Sequence, residues 1–118
     1  MLSADITTEF IEKDRVLIIK LFGEIDHHSA YPLREASDRE IIMRQPKKVV
    51  IDLTEVSFMD SAGLGYILGR YSKSQLLKAE MEVTGASDRA WRILQLAGAD
   101  KLLKIQKSDS NEQVKAGK

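Results

Sequence analysis

Apolar residues recur along this chain in two alternating rhythms, one extended and one helical. "VLIIKLFGEI", beginning at Val16, is a run of β-branched and apolar residues that predicts a strand over residues 15–22, ending at Gly23. "ADITTEFIE" before it alternates weakly and suits a hairpin partner. From Ser29 to Arg44 the spacing turns helical. Ala30, Leu33, Ser37 and Ile41 fall near one face, and Pro32 sits in the first turn, where a missing N–H is tolerated. "VVIDL", residues 49–53, is apolar on both faces, as a central strand covered on both sides would be. "TEVSF" reads as a loop leading to a helix opened by Asp60 and Ser61.

"AEMEVTG", residues 79–85, alternates and stops at a glycine, which predicts a further strand. "SDRAWRILQLAGA" predicts a short helix capped by Ser87 or Asp88, with Ala90, Ile93, Leu94 and Ala97 inward and Gly98 as its stop. Trp91, beside Ala90 and Leu94, reads as a partly buried core residue rather than an interface anchor. "KLLKI" allows a last short strand or a helical turn. Together these elements predict one α/β (α+β) domain over residues 1–106, with a mixed sheet of about four or five strands and packed helices. Residues 107–118 are polar and small, a tail expected to be frayed or weakly helical.

The helix after Asp60 raises a question of its own. It carries Gly63, Gly65 and Gly69, although a glycine inside a helix costs about 1 kcal/mol relative to alanine. At 100° per residue, Leu64, Ile67, Leu68 and Tyr71 gather on a predicted core face. Ser61, Gly65, Gly69 and Ser72 form a second stripe with Ala62 at its edge. Either another element of the domain packs closely there, or a flat surface is kept for a partner beside Ser61.

Composition narrows the setting. The chain has 118 residues, 43% of them hydrophobic and 31% charged, which suits a single soluble domain. Eighteen basic residues balance eighteen acidic ones, and no concentrated basic patch points to nucleic acid. No apolar run approaches the roughly 20 residues a membrane span needs, and the N-terminus does not read as a signal peptide, so the expected location is the cytoplasm. With no cysteine there is neither disulfide nor thiolate chemistry. The P-loop pattern is absent, and no cofactor is expected.

Ser61 falls in the first turn of its helix, where unpaired N–H groups and the positive end of the helix dipole favour an anion such as a phosphate. Asp60 opposes that anion by like-charge repulsion. A serine beside an aspartate at a helix start is also what an ordinary cap looks like. His27 and His28, next to Asp26, could combine with Ser61 into a hydrolase triad, but the serine lies in no G-x-S-x-G elbow. As metal ligands they lack a fourth partner and an i, i+4 spacing, so no metal site is expected.

"VVIDLTEVSFMDSAGLGYILGRY", residues 49–71, resembles the signature of the STAS domains that act as anti-sigma factor antagonists, and "GEIDHHSA", residues 23–30, resembles their second signature. The pair is most similar to the sporulation anti-sigma-F factor antagonists of spore-forming Gram-positive bacteria. The resemblance covers roughly residues 5–106. It implies a binding protein rather than an enzyme, one that works by partner switching. In that scheme the unphosphorylated antagonist binds an anti-sigma factor that is also a serine kinase and releases the sigma factor. The kinase ends this by phosphorylating one serine, which matches Ser61, and a PP2C-type phosphatase restores the antagonist. Asp60, Ser61, Ala62, Gly63, Gly65 and Gly69 are expected to form the docking surface, and the resemblance implies that the turn bearing Asp26, His27 and His28 lies near Ser61 and contributes to docking. Neither nucleic acid nor membrane is among the implied partners. Ala62 stands where the family often has a second serine, which leaves one acceptor. A STAS module of a general-stress or other signalling assembly is the alternative, and a serine hydrolase a remote one.

Overall fold

Strand β2 (Val16–Ile25) runs antiparallel to β1 (Ala4–Ile11), and from there every strand is parallel to its neighbour. A computed structural model describes residues 4–108 of the chain. After β2 come helix α1 (Ala30–Arg44), β3 (Lys48–Met59), α2 (Ser61–Leu76), β4 (Glu80–Ala86), α3 (Asp88–Leu96), a 3-10 turn (Ala99–Lys101) and β5 (Lys104–Lys107). The five strands lie in chain order, β1-β2-β3-β4-β5. The expected mixed sheet is present, and "KLLKI" supplies both a turn and a strand. Ser87, rather than Asp88, caps α3 by accepting from Ala90 N at 3.1 Å. The predicted tail lies outside the described residues beyond Ser108.

Three expectations about the strands need correction. Gly23 does not end β2: it adopts φ 90°, the pairing register shifts there, and the strand continues to Ile25. Residues 54–58 are strand, not loop. They pair with β2 alone, beyond the last β3–β4 pair at Asp52 and Thr84, and Thr54, Glu55 and Ser57 stay exposed, so their polarity imitated a loop. Nor is β3 buried on both faces. Leu17, Ile19, Leu21, Val49, Ile51, Leu53, Met81 and Val83 are buried, whereas the alternate residues Ile18, Val50, Asp52 and Glu82 are only half-buried. Crossovers between consecutive parallel strands keep one hand, which stacks the helices on one face of the sheet and leaves the other to solvent.

Gly85 is tied to the point where β3 and β4 separate. Its φ is +72°, and a Cβ there would collide with the Thr54 side chain and approach Thr54 N to 2.7 Å. Asp52 Oδ1 holds Thr54 in place by accepting from its N–H at 2.9 Å and its hydroxyl at 2.6 Å.

The core face of α2 is also turned from the predicted one. Gly63, Tyr66, Ile67, Arg70 and Ser74 are buried, while Leu64, Leu68 and Tyr71 are half-buried. On α3, Ala90 and Leu94 are buried, Ile93 and Trp91 partly so, and Ala97 is exposed, past the last helical residue. Arg70 and Ser74 can lie inside because they have partners. Arg70 Nε is 2.8 Å from Asp38 Oδ1 of α1, its Nη1 donates to Tyr66 O at 3.3 Å, and the guanidinium lies 5.1 Å from the Tyr66 ring centroid. Ser74 Oγ donates to Arg70 O at 2.9 Å. The Tyr66 hydroxyl shares a 2.6 Å hydrogen bond with Ser37 Oγ. These contacts fix α1 against α2 in the middle turns of both helices.

Burial pushes the Tyr66 phenol up to about 12, against the opposing pull of the Ser37 hydrogen bond and the Arg70 charge. A group whose folded-state value is raised contributes stability below its unfolded value, near 10 for tyrosine, and loses it as pH rises through the folded one. Stability should therefore fall between pH 10 and 12 by up to about 3 kcal/mol from this group. Urea unfolding of the protein and of Tyr66→Phe across that range checks it. The variant's loss should be smaller by that amount, since the lysines and other tyrosines titrate in both.

Candidate functional site

Two neighbouring strand ends deliver two aspartates side by side. Ile25 of β2 pairs with Met59 of β3, and each is followed by an aspartate, Asp26 and Asp60. Asp60 N donates to Ile25 O at 3.3 Å, which links the two turns directly. Both carboxylates fold back on backbone. Asp60 caps α2 by accepting from Ala62 N at 2.8 Å. Asp26 Oδ1 accepts from His28 N and Ser29 N, each at 3.0 Å. The Ser29 N–H bond, with lesser help from His28, holds the Asp26 carboxyl below the usual carboxylate range. Ser29 Oγ in turn donates to Glu24 O at 2.8 Å and accepts from Asp26 N at 3.0 Å, so it ties down the turn rather than capping α1.

Ser61 is the first residue of α2 and is exposed. Of the N–H groups beside it, Ala62 N is held by the Asp60 carboxylate, and Gly63 N and Leu64 N both donate to Asp60 O, at 3.0 and 3.2 Å. An anion on Ser61 would thus meet the helix dipole but few free donors.

The three glycines divide between the two explanations. Gly63 is buried, and a Cβ on it would overlap the Met59 side chain, so this glycine serves close packing. Its expected place on an open docking surface is corrected accordingly. Around Gly65 and Gly69 a Cβ would meet nothing within 4 Å. With Ser61, Gly65 and Ser72 exposed and Ala62 and Gly69 half-buried, that stripe is a smooth surface facing away from the core.

His27 and Ala30 of the "GEIDHHSA" segment face Ala62 and Gly65 of α2 across a cleft of about 350 Å³. His27, Tyr31 and Arg34 line one side; Ala62, Gly65 and Tyr66 line the other. The hydrolase arrangement is not assembled. No hydrogen bond among the described residues joins Ser61 to either histidine, Asp26 is engaged with backbone, and the two imidazoles lie against each other with centroids 4.1 Å apart. Tyr31 and Arg34 had no distinguishing signal in the sequence beyond an aromatic and a cation spaced one helical turn apart.

A parallel sheet with one antiparallel edge, helices on one face, and an exposed serine following the capping aspartate of the helix after the central strand define a class of small α/β domain. The chain belongs to the STAS-domain family, whose description matches residues 7–111. Among its relatives, the anti-sigma F factor antagonist of Paenibacillus polymyxa is 38% identical over 96 residues, covering 81% of this chain and 82% of that protein. The anti-sigma-B factor antagonist of Listeria monocytogenes is 34% identical over 108 residues, 86% of this chain and 90% of the relative. In fold it is similar to the anti-sigma factor antagonist SpoIIAA. The unphosphorylated form of that protein gives a TM-score of 0.74 at 22% identity, over 97% of this chain and 98% of that one. Its phosphorylated Bacillus form gives 0.66 at 23% identity, over 92% and 97%.

Proposed function

We propose that this protein is an anti-sigma factor antagonist that works by partner switching in the control of sporulation transcription. Unphosphorylated, it binds an anti-sigma factor that is also a serine kinase and thereby frees a sigma factor. Phosphorylation of Ser61 by that kinase ends binding, and a PP2C-type phosphatase reverses it. The protein acts as a binding module in the cytoplasm, not as an enzyme, with neither nucleic acid nor membrane as a direct partner. Among the described residues no helix is long and apolar enough to cross a membrane.

The observation that carries this reading is the exposed Ser61 at the start of α2, followed on its helix by the bare surface at Gly65 and Gly69, with His27 facing the next residue, Ala62, across the cleft. A hydroxyl there is open to a kinase, and a dianion added there alters a docking surface without entering the core. Asp60 holds the loop through Ala62 N, which keeps the serine outward. A second reading, a general-stress antagonist with the same switch, is favoured by the longer match to the Listeria anti-sigma-B antagonist.

The test is to incubate the protein with ATP and the anti-sigma kinase of its own host, measure the intact mass, and locate any phosphate by fragmentation, with Ser61→Ala in parallel. One phosphate is expected, on Ser61, and none in the variant. No phosphate from a kinase active on another substrate would overturn the reading.

A further inference from the structure

We propose that the cleft between the first turns of α1 and α2 receives a carboxylate side chain of the partner protein, with Arg34 as its counter-charge and Tyr31 as its wall. The proposal rests on the antagonist reading and names what the partner brings to the surface beside Ser61.

Among the described residues, Arg34 is the one fully charged side chain lining this cleft, and no acidic one lines it. It makes no ion pair among the described residues. Asp38, one turn further along α1, is engaged by Arg70 at 2.8 Å and so is not its partner. Instead, the Arg34 guanidinium lies over the Tyr31 ring, 4.8 Å from its centroid, and Tyr31 is 57% exposed. Stacking presents the planar fork of an arginine in a preorganised way, and that fork matches a carboxylate better than an ammonium would. Tyrosine and arginine are also the residue types over-represented where binding energy concentrates. Opposite them, Gly65 leaves the cleft wall without a side chain, so a partner loop can approach the α2 backbone.

The cleft also explains how Ser61 could be read. Ala62, the residue after it, lines the same cleft. A phosphate on Ser61 would place two negative charges at the rim, attract Arg34 and repel the incoming carboxylate. Docking and switching would then share one cation.

Titration calorimetry with the host's purified anti-sigma factor tests this, using the full chain and the variants Arg34→Glu, Arg34→Met, Tyr31→Ala and Arg39→Glu. Arg39 is an exposed arginine of the same helix outside the cleft, so its reversal changes net charge equally. Arg34→Glu is expected to weaken binding at least about tenfold, and Tyr31→Ala several-fold. Arg34→Met should flatten the dependence of affinity on salt, and Arg39→Glu should stay within about twofold of the unaltered protein. Thermal melts confirm that these surface variants fold. Arg34→Glu within twofold of the unaltered protein would overturn the proposal while leaving the antagonist reading intact. So would equal losses from Arg34→Glu and Arg39→Glu, or a loss confined to Tyr31→Ala, which would mean an apolar occupant. Failure of the unaltered protein to bind the anti-sigma factor would overturn both.

Discussion

Alanine at Gly63 and alanine at Gly65 should move the stability of this domain in opposite directions. The two glycines are half a helical turn apart and look equivalent in the sequence. At Gly63 a Cβ would run into Met59, itself buried at the end of β3. Forcing a methyl into a packed site costs about 1–3 kcal/mol, which outweighs the roughly 1 kcal/mol that alanine gains in helix propensity. At Gly65 nothing lies within 4 Å, so the propensity gain stands alone. Gly63→Ala should therefore lose up to about 2 kcal/mol and Gly65→Ala gain up to about 1 kcal/mol. Urea midpoints at unchanged m-values measure both. A destabilised Gly65→Ala would mean that the stripe packs inside the domain. A bulky residue at Gly65 should instead leave the fold intact and impair partner binding.

The contrast also marks how far the sequence could be read. Among the described residues, alternation and breakers located β1 to β4 and the three helices, because strands covered on one face and capped helices leave local signatures, and left β5 open between a strand and a helical turn. Contacts between distant segments left none. Residues 54–58 are polar because they pass beyond the β3–β4 pairing, a matter of register that composition does not record. The α2 wheel could not place Arg70 inside, since the carboxylate that makes its burial tolerable comes from Asp38 on α1. Gly63 looked like its neighbours until Met59 was beneath it. The pairing of the Asp26 turn with Ser61 was legible only through family resemblance. Tyr31 and Arg34 entered the site only once α1 was packed against α2.

The second large effect is expected in binding rather than folding. Ser61 is exposed and opens its helix, so a phosphate there meets a favourable dipole and loses no internal contact. The gain is partial, because Asp60 already occupies Ala62 N and repels the dianion. Against a docked partner the balance reverses. A group carrying about −1.5 to −2 charges, desolvated without a new cation, readily costs the roughly 2.7 kcal/mol that corresponds to a hundredfold loss of affinity.

The most direct measurement is the affinity of the unmodified and the Ser61-phosphorylated protein for the host's anti-sigma factor, taken side by side by calorimetry, with the thermal midpoint of each. Weakening of about a hundredfold or more, with midpoints within a few degrees of each other, is the expected result. Equal affinities for the two forms would contradict a switch at Ser61.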